Sequence, residues 1–246
     1  MSVNELYLVR HGESIGNVAA TQAEIDQLDT IPIDIRDADV PLSTTGEEQA
    51  RALAEWLAEH RDEIDLYWVS PYLRARQTLE IALGNDAAKP VRIALDERLR
   101  DRELGILDLL TRRGVARLHP EETERRRHLG KFYHRPPGGE SWADVALRLR
   151  SFLGDALDAP GDDTRGAALL VAHDAVVMLF LYLLLGLPES ELLDYAARNT
   201  VLNASVTHLV REENGWRLIA FSSVDHLKRE GAEVTVHPGS PDVEPE

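Results

Sequence analysis

The 246 residues contain no cysteine. That absence excludes disulfides, thiolate zinc sites, iron–sulfur clusters and every cysteine-nucleophile mechanism. It also leaves the compartment unconstrained by redox chemistry. Lysine is nearly absent too: only three of the 27 basic residues are Lys, an arginine bias that points to a GC-rich bacterial source. Basic residues as a whole are outnumbered by 43 acidic ones, for a net charge of −16. Nucleic acid and anionic membranes repel such a surface, so neither is expected as a partner. The N-terminus has neither a basic n-region nor a long apolar h-region, so no secretory leader is read and a cytoplasmic location is expected. Long apolar runs are also scarce. The one candidate, residues 169–187, is nearly long enough to cross a bilayer. His173 and Asp174 interrupt it and no basic flank follows, so a buried strand, a polar turn and a buried helix are expected instead.

What is present is globular: 43% hydrophobic and 28% charged residues, in a chain long enough for a large core. Short apolar segments at 6–9, 66–70, 91–95, 168–172, 205–210 and 216–221 predict six strands. Helical patterns fall between them at 44–60, 72–83, 141–157 and 175–185, the third opened by the Ser141/Asp144 capping pair. Alternation of this kind predicts an α/β fold, a three-layer α/β/α sandwich with a mixed, mostly parallel central sheet of about six strands. The close spacing of the last two strands predicts a hairpin at one edge. Residues 18–41 read as a long loop or an insertion with a short helix. Residues 231–246, with three prolines and scattered acids, read as a frayed acidic tail.

Polar clusters follow four of the strands, at the sheet edge where open α/β folds bind ligands. Arg10 and His11 follow the first strand, with Gly12 allowing a tight turn and Asn17 close behind. Taken alone, that pair is as compatible with a surface turn as with an anion site. Arg74 falls in the first turn of the helix after the second strand, where free N–H groups favour phosphate. Asp101 and Glu103 lie among three arginines after the third strand, an arrangement equally open to simple ion pairing. His173 and Asp174 follow the fourth.

These segments, LVRHGES with Asn17, PLSTTGEEQA, SPYLRARQT, LRDRELG and LLVAH, occur in an order that resembles the histidine phosphatase superfamily, the phosphoglycerate mutase-like fold. The resemblance spans most of the chain, from about Leu6 to Val210. It implies a single catalytic domain over 1–230, with 98–140 as a lid or specificity insertion and 231–246 as a flexible tail. It also implies that His11 is a nucleophile forming a phosphohistidine, and that Arg10, Arg74 and His173, assisted by Asn17, hold the phosphoryl oxygens. Such a pocket needs no cofactor and no metal, because the arginines supply the positive charge. The acid in this family is usually a glutamate at the position of Asp101. Aspartate is shorter by one methylene, so both Asp101 and Glu103 stand as candidates for protonating the leaving oxygen.

Residues 98–139 carry 11 basic and 6 acidic residues, against the trend of the chain. Arg127, Lys131 and Arg135 recur every four residues, which on a helix lines one face. The stretch around Tyr133, Arg135, Pro136, Gly139, Glu140 and Ser141 resembles the fructose-2,6-bisphosphatase branch. That resemblance implies a second phosphate subsite at Arg127, Lys131 and Arg135, with Asp174 and Glu103 also near the substrate. The competing reading is a solvated basic helix paired with Glu121, Glu122 and Glu124. The expected activity is a phosphatase for a small phosphorylated metabolite, a sugar bisphosphate or phosphoglycerate among the candidates. The alternatives are mutase-type transfer and a non-catalytic phospho-ligand module. A homo-oligomer is compatible with the sequence.

Overall fold

The computed structural model describes residues 2–84, 92–156 and 165–237. Six strands form one sheet: β1 (Ser2–Arg10), β2 (Ile64–Val69), β3 (Arg92–Leu95), β4 (Arg165–Ala172), β5 (Val206–Glu212) and β6 (Gly215–Ser223). Their order is β3-β2-β4-β1-β5-β6. The first four in that order run parallel, and β5 and β6 add an antiparallel edge. The helices are α1 (Ile15–Ile25), α2 (Thr44–His60), α3 (Leu73–Leu83), α4 (Arg112–Leu118), α5 (Pro120–Tyr133), α6 (Trp142–Ala156), α7 (Asp174–Leu184), α8 (Glu189–Arg198) and α9 (Asp225–Glu230). All six expected strands and all four expected helices are present. Val91 and Leu157, at the ends of two of them, lie outside the described residues.

The central strands explain why those segments are so apolar. In β1 and β4, Leu6, Leu8, Ala168, Leu170 and Ala172 enter a core covered by α6 and α7. The intervening Tyr7, Val9, Leu169 and Val171 enter a second core, beneath α2 and α3. A strand buried on both faces cannot alternate polar with apolar residues, so it reads as an unbroken apolar run. Residues 169–187 accordingly divide into the end of β4, a polar turn and α7. Among the described residues no helix is long and apolar enough to cross a membrane.

Two segments differ from expectation to different degrees. The first, 18–41, has the expected short helix and irregular course, and departs only in that α1 starts earlier, at Ile15. Ser14 accepts from Asn17 N, and the Asn17 side chain returns the bond to Ser14 N. Residues 26–40 follow an irregular course but are tied down. Thr30 pairs with Leu110, Ile31 N donates to Leu109 O at 2.8 Å, and Thr111 N donates to Asp29 O at 3.1 Å. The second departure is the C-terminal segment. A flexible acidic tail was expected from 231 onward, but residues 232–237 pack back onto the body of the fold. Gln49 Nε2 donates to Glu233 O and Thr235 Oγ1, both at 2.9 Å, and Ala232 and Val234 rest on a small core around Leu227. Burying Val234 and satisfying Gln49 outweighs the disorder that the composition suggests. Residues 238–246 lie outside the described residues.

Gly114 makes the tie between α4 and the 26–40 segment possible, since a Cβ there would stand 1.8 Å from Asp29 O. Gly114→Ala should therefore cost about 1–3 kcal/mol through overpacking. Limited proteolysis should then cut the 26–40 segment faster than in wild type. An unchanged unfolding midpoint and digestion rate would show that this contact relaxes freely.

Candidate active site

The parallel strands bring the ends of β1, β2 and β4 to one sheet edge, so residues far apart in the chain meet there. His11 N and Ser70 N extend the ladder by donating to Ala172 O and Val171 O, each at 3.0 Å. The backbone around His11 is gripped from both sides: Ala204 N and Asn203 Nδ2 both donate to His11 O at 3.2 Å. Gly12 N donates to Thr78 Oγ1 at 2.9 Å.

The start of α2 holds the next residues. Ser43, its N-cap, donates through Oγ to Glu13 Oε1 at 2.6 Å, and Gln49 Oε1 accepts from Glu13 N at 2.8 Å. Gly46 is required at this junction, because a Cβ there would stand 1.9 Å from Glu13 O. The PLSTTGEEQA segment thus clamps the loop that carries His11.

His11 is buried, and its Nδ1 lies 2.7 Å from Gly12 O. A carbonyl only accepts, so Nδ1 carries the proton and Nε2 carries the lone pair. Arg74 Nε donates to that Nε2 at 3.3 Å. Burial, reinforced by the charges of Arg74 and Arg10, holds the His11 pKa well below its ordinary value of 6.5. The ring is neutral at pH 7, with a nucleophilic nitrogen facing cations.

Arg74 is only 4% exposed. Its Nη1 donates to Asp37 O at 2.7 Å and to Asp37 Oδ1 at 2.9 Å, and its Nη2 donates to Asp101 Oδ2 at 3.1 Å. Burial alone would lower its pKa, but Asp37 and Asp101 outweigh it and the net shift is upward. Arg10 is buried as well. Its Nη1 donates to Val201 O at 2.5 Å and His237 O at 3.0 Å, while its Nε has no hydrogen-bond partner. His173 Nε2 lies 2.8 Å from Ser70 Oγ. Its Nδ1 stands 3.3 Å from Asp101 Oδ2 without hydrogen-bond geometry. Burial, then Arg74, Arg148 and Arg10, holds the His173 pKa well below 6.5, so the ring is neutral at pH 7.

The remaining expected residues divide into two groups. Asn17, Asp101, Glu103 and Asp174 line the same cavity as Arg10, His11 and Arg74. Asn17 Oδ1 accepts from Ser14 N and Asn203 Nδ2, so its amide N–H is what it offers the cavity. Glu103 accepts from Tyr72 Oη at 2.8 Å. Asp174 Oδ1 accepts from Ala175 N at 2.7 Å, and burial raises its pKa against the pull of Arg10.

Arg127, Lys131 and Arg135 do not line this cavity. They do not share a helix face either, because Gly130 breaks α5 with φ 78° and ψ 161°. Arg127 pairs with Glu124 at 2.5 Å and is 71% exposed, as in the solvated-helix reading. Lys131 lies over the Trp142 ring at 4.7 Å. Arg135 forms a fork with Asp144, which also accepts from Ser141 at the start of α6. The expected second phosphate subsite is thus not assembled, because the carboxylates of the two flanking helices hold its arginines.

Several residues at the site carried no expectation. Asp37 anchors Arg74 from the 26–40 segment. His237 Nε2 lies 2.7 Å from Glu13 Oε2 and its Nδ1 2.7 Å from Thr21 Oγ1, and it lines the cavity. The signal for His237 was the Val-Thr-Val-His run inside a segment dominated by Pro and acids. Among the described residues no group of three or more His, Asp or Glu is placed to hold a metal ion.

Comparison with known proteins places this arrangement. The histidine phosphatase superfamily (branch 1) matches residues 6–223, and the chain belongs to that family. The chain is 33% identical over 235 residues to the probable phosphoglycerate mutase GpmB of Enterobacter sp. (strain 638), covering 91% of this chain and 94% of that one. Among solved structures, it is similar to a mycobacterial glucosyl-3-phosphoglycerate phosphatase complexed with VO3, at 28% identity. The TM-score is 0.68, with 89% of this chain and 99% of that one covered. A second, described as mycobacterial hydrolase 1, gives 27% identity and a TM-score of 0.69 over 89% and 98% of the two chains.

The buried imidazoles make stability depend on pH. Below about pH 6.5 the unfolded chain takes up protons at histidines 11 and 173 that the folded chain does not, so stability falls as pH falls from there towards the lower folded values. The unfolding midpoint, followed between about pH 7.5 and 5.5, should drop less steeply in His11→Asn than in wild type. Equal slopes would show that His11 contributes none of this dependence.

Proposed function

We propose that the chain is a phosphomonoester phosphatase working through a phosphohistidine at His11. The observation that carries this reading is a neutral imidazole whose unprotonated Nε2 faces the guanidinium of Arg74 at 3.3 Å in a buried site. Two buried nitrogens beside it, Arg10 Nε and His173 Nδ1, have no hydrogen-bond partner; a phosphoryl oxygen would accept from Arg10 Nε, and from His173 Nδ1 in the tautomer or protonation state that places a proton there. Arg10, Arg74, His173 and the Asn17 amide hold the oxygens, so the reading requires no metal. Nε2 attacks phosphorus in line, the N–P bond forms and the ester P–O bond breaks.

Asp101 protonates the leaving oxygen. An arriving phosphate takes over the Arg74 guanidinium, freeing the Asp101 carboxyl from its 3.1 Å ion pair to face the leaving oxygen. Water then attacks the phosphohistidine, giving its proton back to Asp101 as the N–P bond breaks. Glu103 is tied to Tyr72 and is the less direct candidate. The cavity wall includes Ile25, 68% exposed, so water reaches the site. That access favours hydrolysis over mutase transfer, which must keep water from the intermediate. The intact constellation of Arg10, His11, Arg74 and His173 favours an enzyme over a binding module.

Kinetics with an alkyl and a nitrophenyl phosphate test this reading. His11→Ala should abolish turnover of both. Asp101→Asn should slow the alkyl ester by roughly 10²–10⁴ and the nitrophenyl ester far less, since nitrophenolate leaves without help. Glu103→Gln should change both by less than about tenfold. The acid assignment reverses if Glu103→Gln rather than Asp101→Asn shows the leaving-group dependence. Turnover that survives His11→Ala removes the phosphohistidine.

A further inference from the structure

The cavity that holds Arg10, His11 and Arg74 has a volume of about 380 Å³, far more than a phosphoryl group fills. Its remaining wall comes from α1, the 26–40 segment and the turn before α4. Ile25, Ile31, Ile33, Ile35, Leu104 and Leu109 line it. This chemistry differs from what the basic 98–139 stretch suggested, because Arg127, Lys131 and Arg135 stand elsewhere.

We propose that the substrate is a phosphomonoester with an uncharged, apolar body, seated on this isoleucine–leucine wall while His11 takes its phosphoryl group. The inference rests on the phosphatase reading and narrows its substrate class. The charges in the wall support it. Apart from the groups around the reacting phosphate, the cavity holds the carboxylates of Glu24, Glu103 and Asp108. The basic side chains there are Arg102 and Arg112. Arg102 Nε donates to Glu140 O at 2.7 Å, and the Glu24 carboxylate accepts from the backbone N of Arg112 at 2.8 Å, which leaves the Arg112 side chain at the rim of this wall. Along the isoleucine–leucine face itself, a second anionic group would meet aliphatic carbon and the carboxylates of Glu24, Glu103 and Asp108, which is costly unless it reaches the arginines at the rim.

The wall is also built rather than incidental. Leu109 holds φ 55°, a left-handed conformation that bulky side chains rarely adopt. Glycine or asparagine would be the easy choice at that position. A leucine held there, with its backbone oxygen bonded to Ile31 N at 2.8 Å, places an aliphatic side chain on the cavity at a conformational cost.

The test compares n-hexyl phosphate with 3-phosphoglycerate, both alkyl esters, in wild type, Leu109→Asn, Ile33→Asn and His11→Ala. Wild type should show a kcat/KM at least about tenfold higher for the hexyl ester. Leu109→Asn and Ile33→Asn should each narrow that ratio several-fold. Asparagine fits the left-handed backbone, so Leu109→Asn should keep the wild-type unfolding midpoint. An equal or higher kcat/KM for 3-phosphoglycerate overturns the apolar body and leaves the phosphatase reading standing. If wild type hydrolyses neither ester faster than His11→Ala, the phosphatase reading fails. The wall is then judged by calorimetry with two unhydrolysable ligands: tighter binding of hexylphosphonate than of phosphonoacetate supports it, and weaker binding overturns it.

Discussion

One buried guanidinium joins four parts of the chain that the fold would otherwise leave independent. Arg74, from the start of α3, donates to the His11 ring after β1, to Asp37 in the 26–40 segment and to Asp101 after β3. A charge so deeply buried is tolerated only when it is paired and hydrogen-bonded. Asp37 and Asp101 are therefore what allows Arg74 to be buried here. Together with burial, the same charge keeps protons off His11, and it gives the loops above the sheet edge a fixed point to close upon. Under the proposed function a phosphate would compete with both carboxylates for this guanidinium, and its binding would be an exchange of partners around Arg74.

The fold was legible in the sequence because its central strands are buried on both faces. Leu6 to Val9 and Ala168 to Ala172 have no polar residue to confuse the reading, and turn residues bound each segment. The cluster at the sheet edge was legible for a related reason: Arg10, His11, Arg74 and His173 each stand directly after a strand or at a helix start, and parallel pairing must bring such positions together. Legibility failed where spacing was read without regard to competing partners. Arg127, Lys131 and Arg135 have the period of a helix face, but Gly130 breaks that helix, and Glu124 and Asp144 hold two of the three side chains. Nothing in a four-residue spacing reveals that Asp144, already needed to cap α6, also takes Arg135.

The 26–40 segment is irregular, as its sequence predicts, whereas residues 232–237 were expected to be part of a flexible tail and are instead ordered. Both look weakly structured because neither has periodicity, and periodicity is the main signal for regular elements. Their order comes from long-range bonds instead: Ile31 to Leu109, Thr111 to Asp29, Gln49 to Glu233 and Thr235. The net charge of −16 misleads in a comparable way if it is read as a property of the site. An average over the surface says little about a pocket in which two arginines are buried beside a neutral imidazole.

His237 makes completion of the site a long-range event. Its backbone oxygen accepts from Arg10, a residue 227 positions earlier, and its ring bridges Glu13 and Thr21. The loop after β1 therefore gains its full set of partners only once a segment that follows all six strands has folded back onto it. Removing residues 232–237 would leave Arg10 with the Val201 carbonyl but without that of His237.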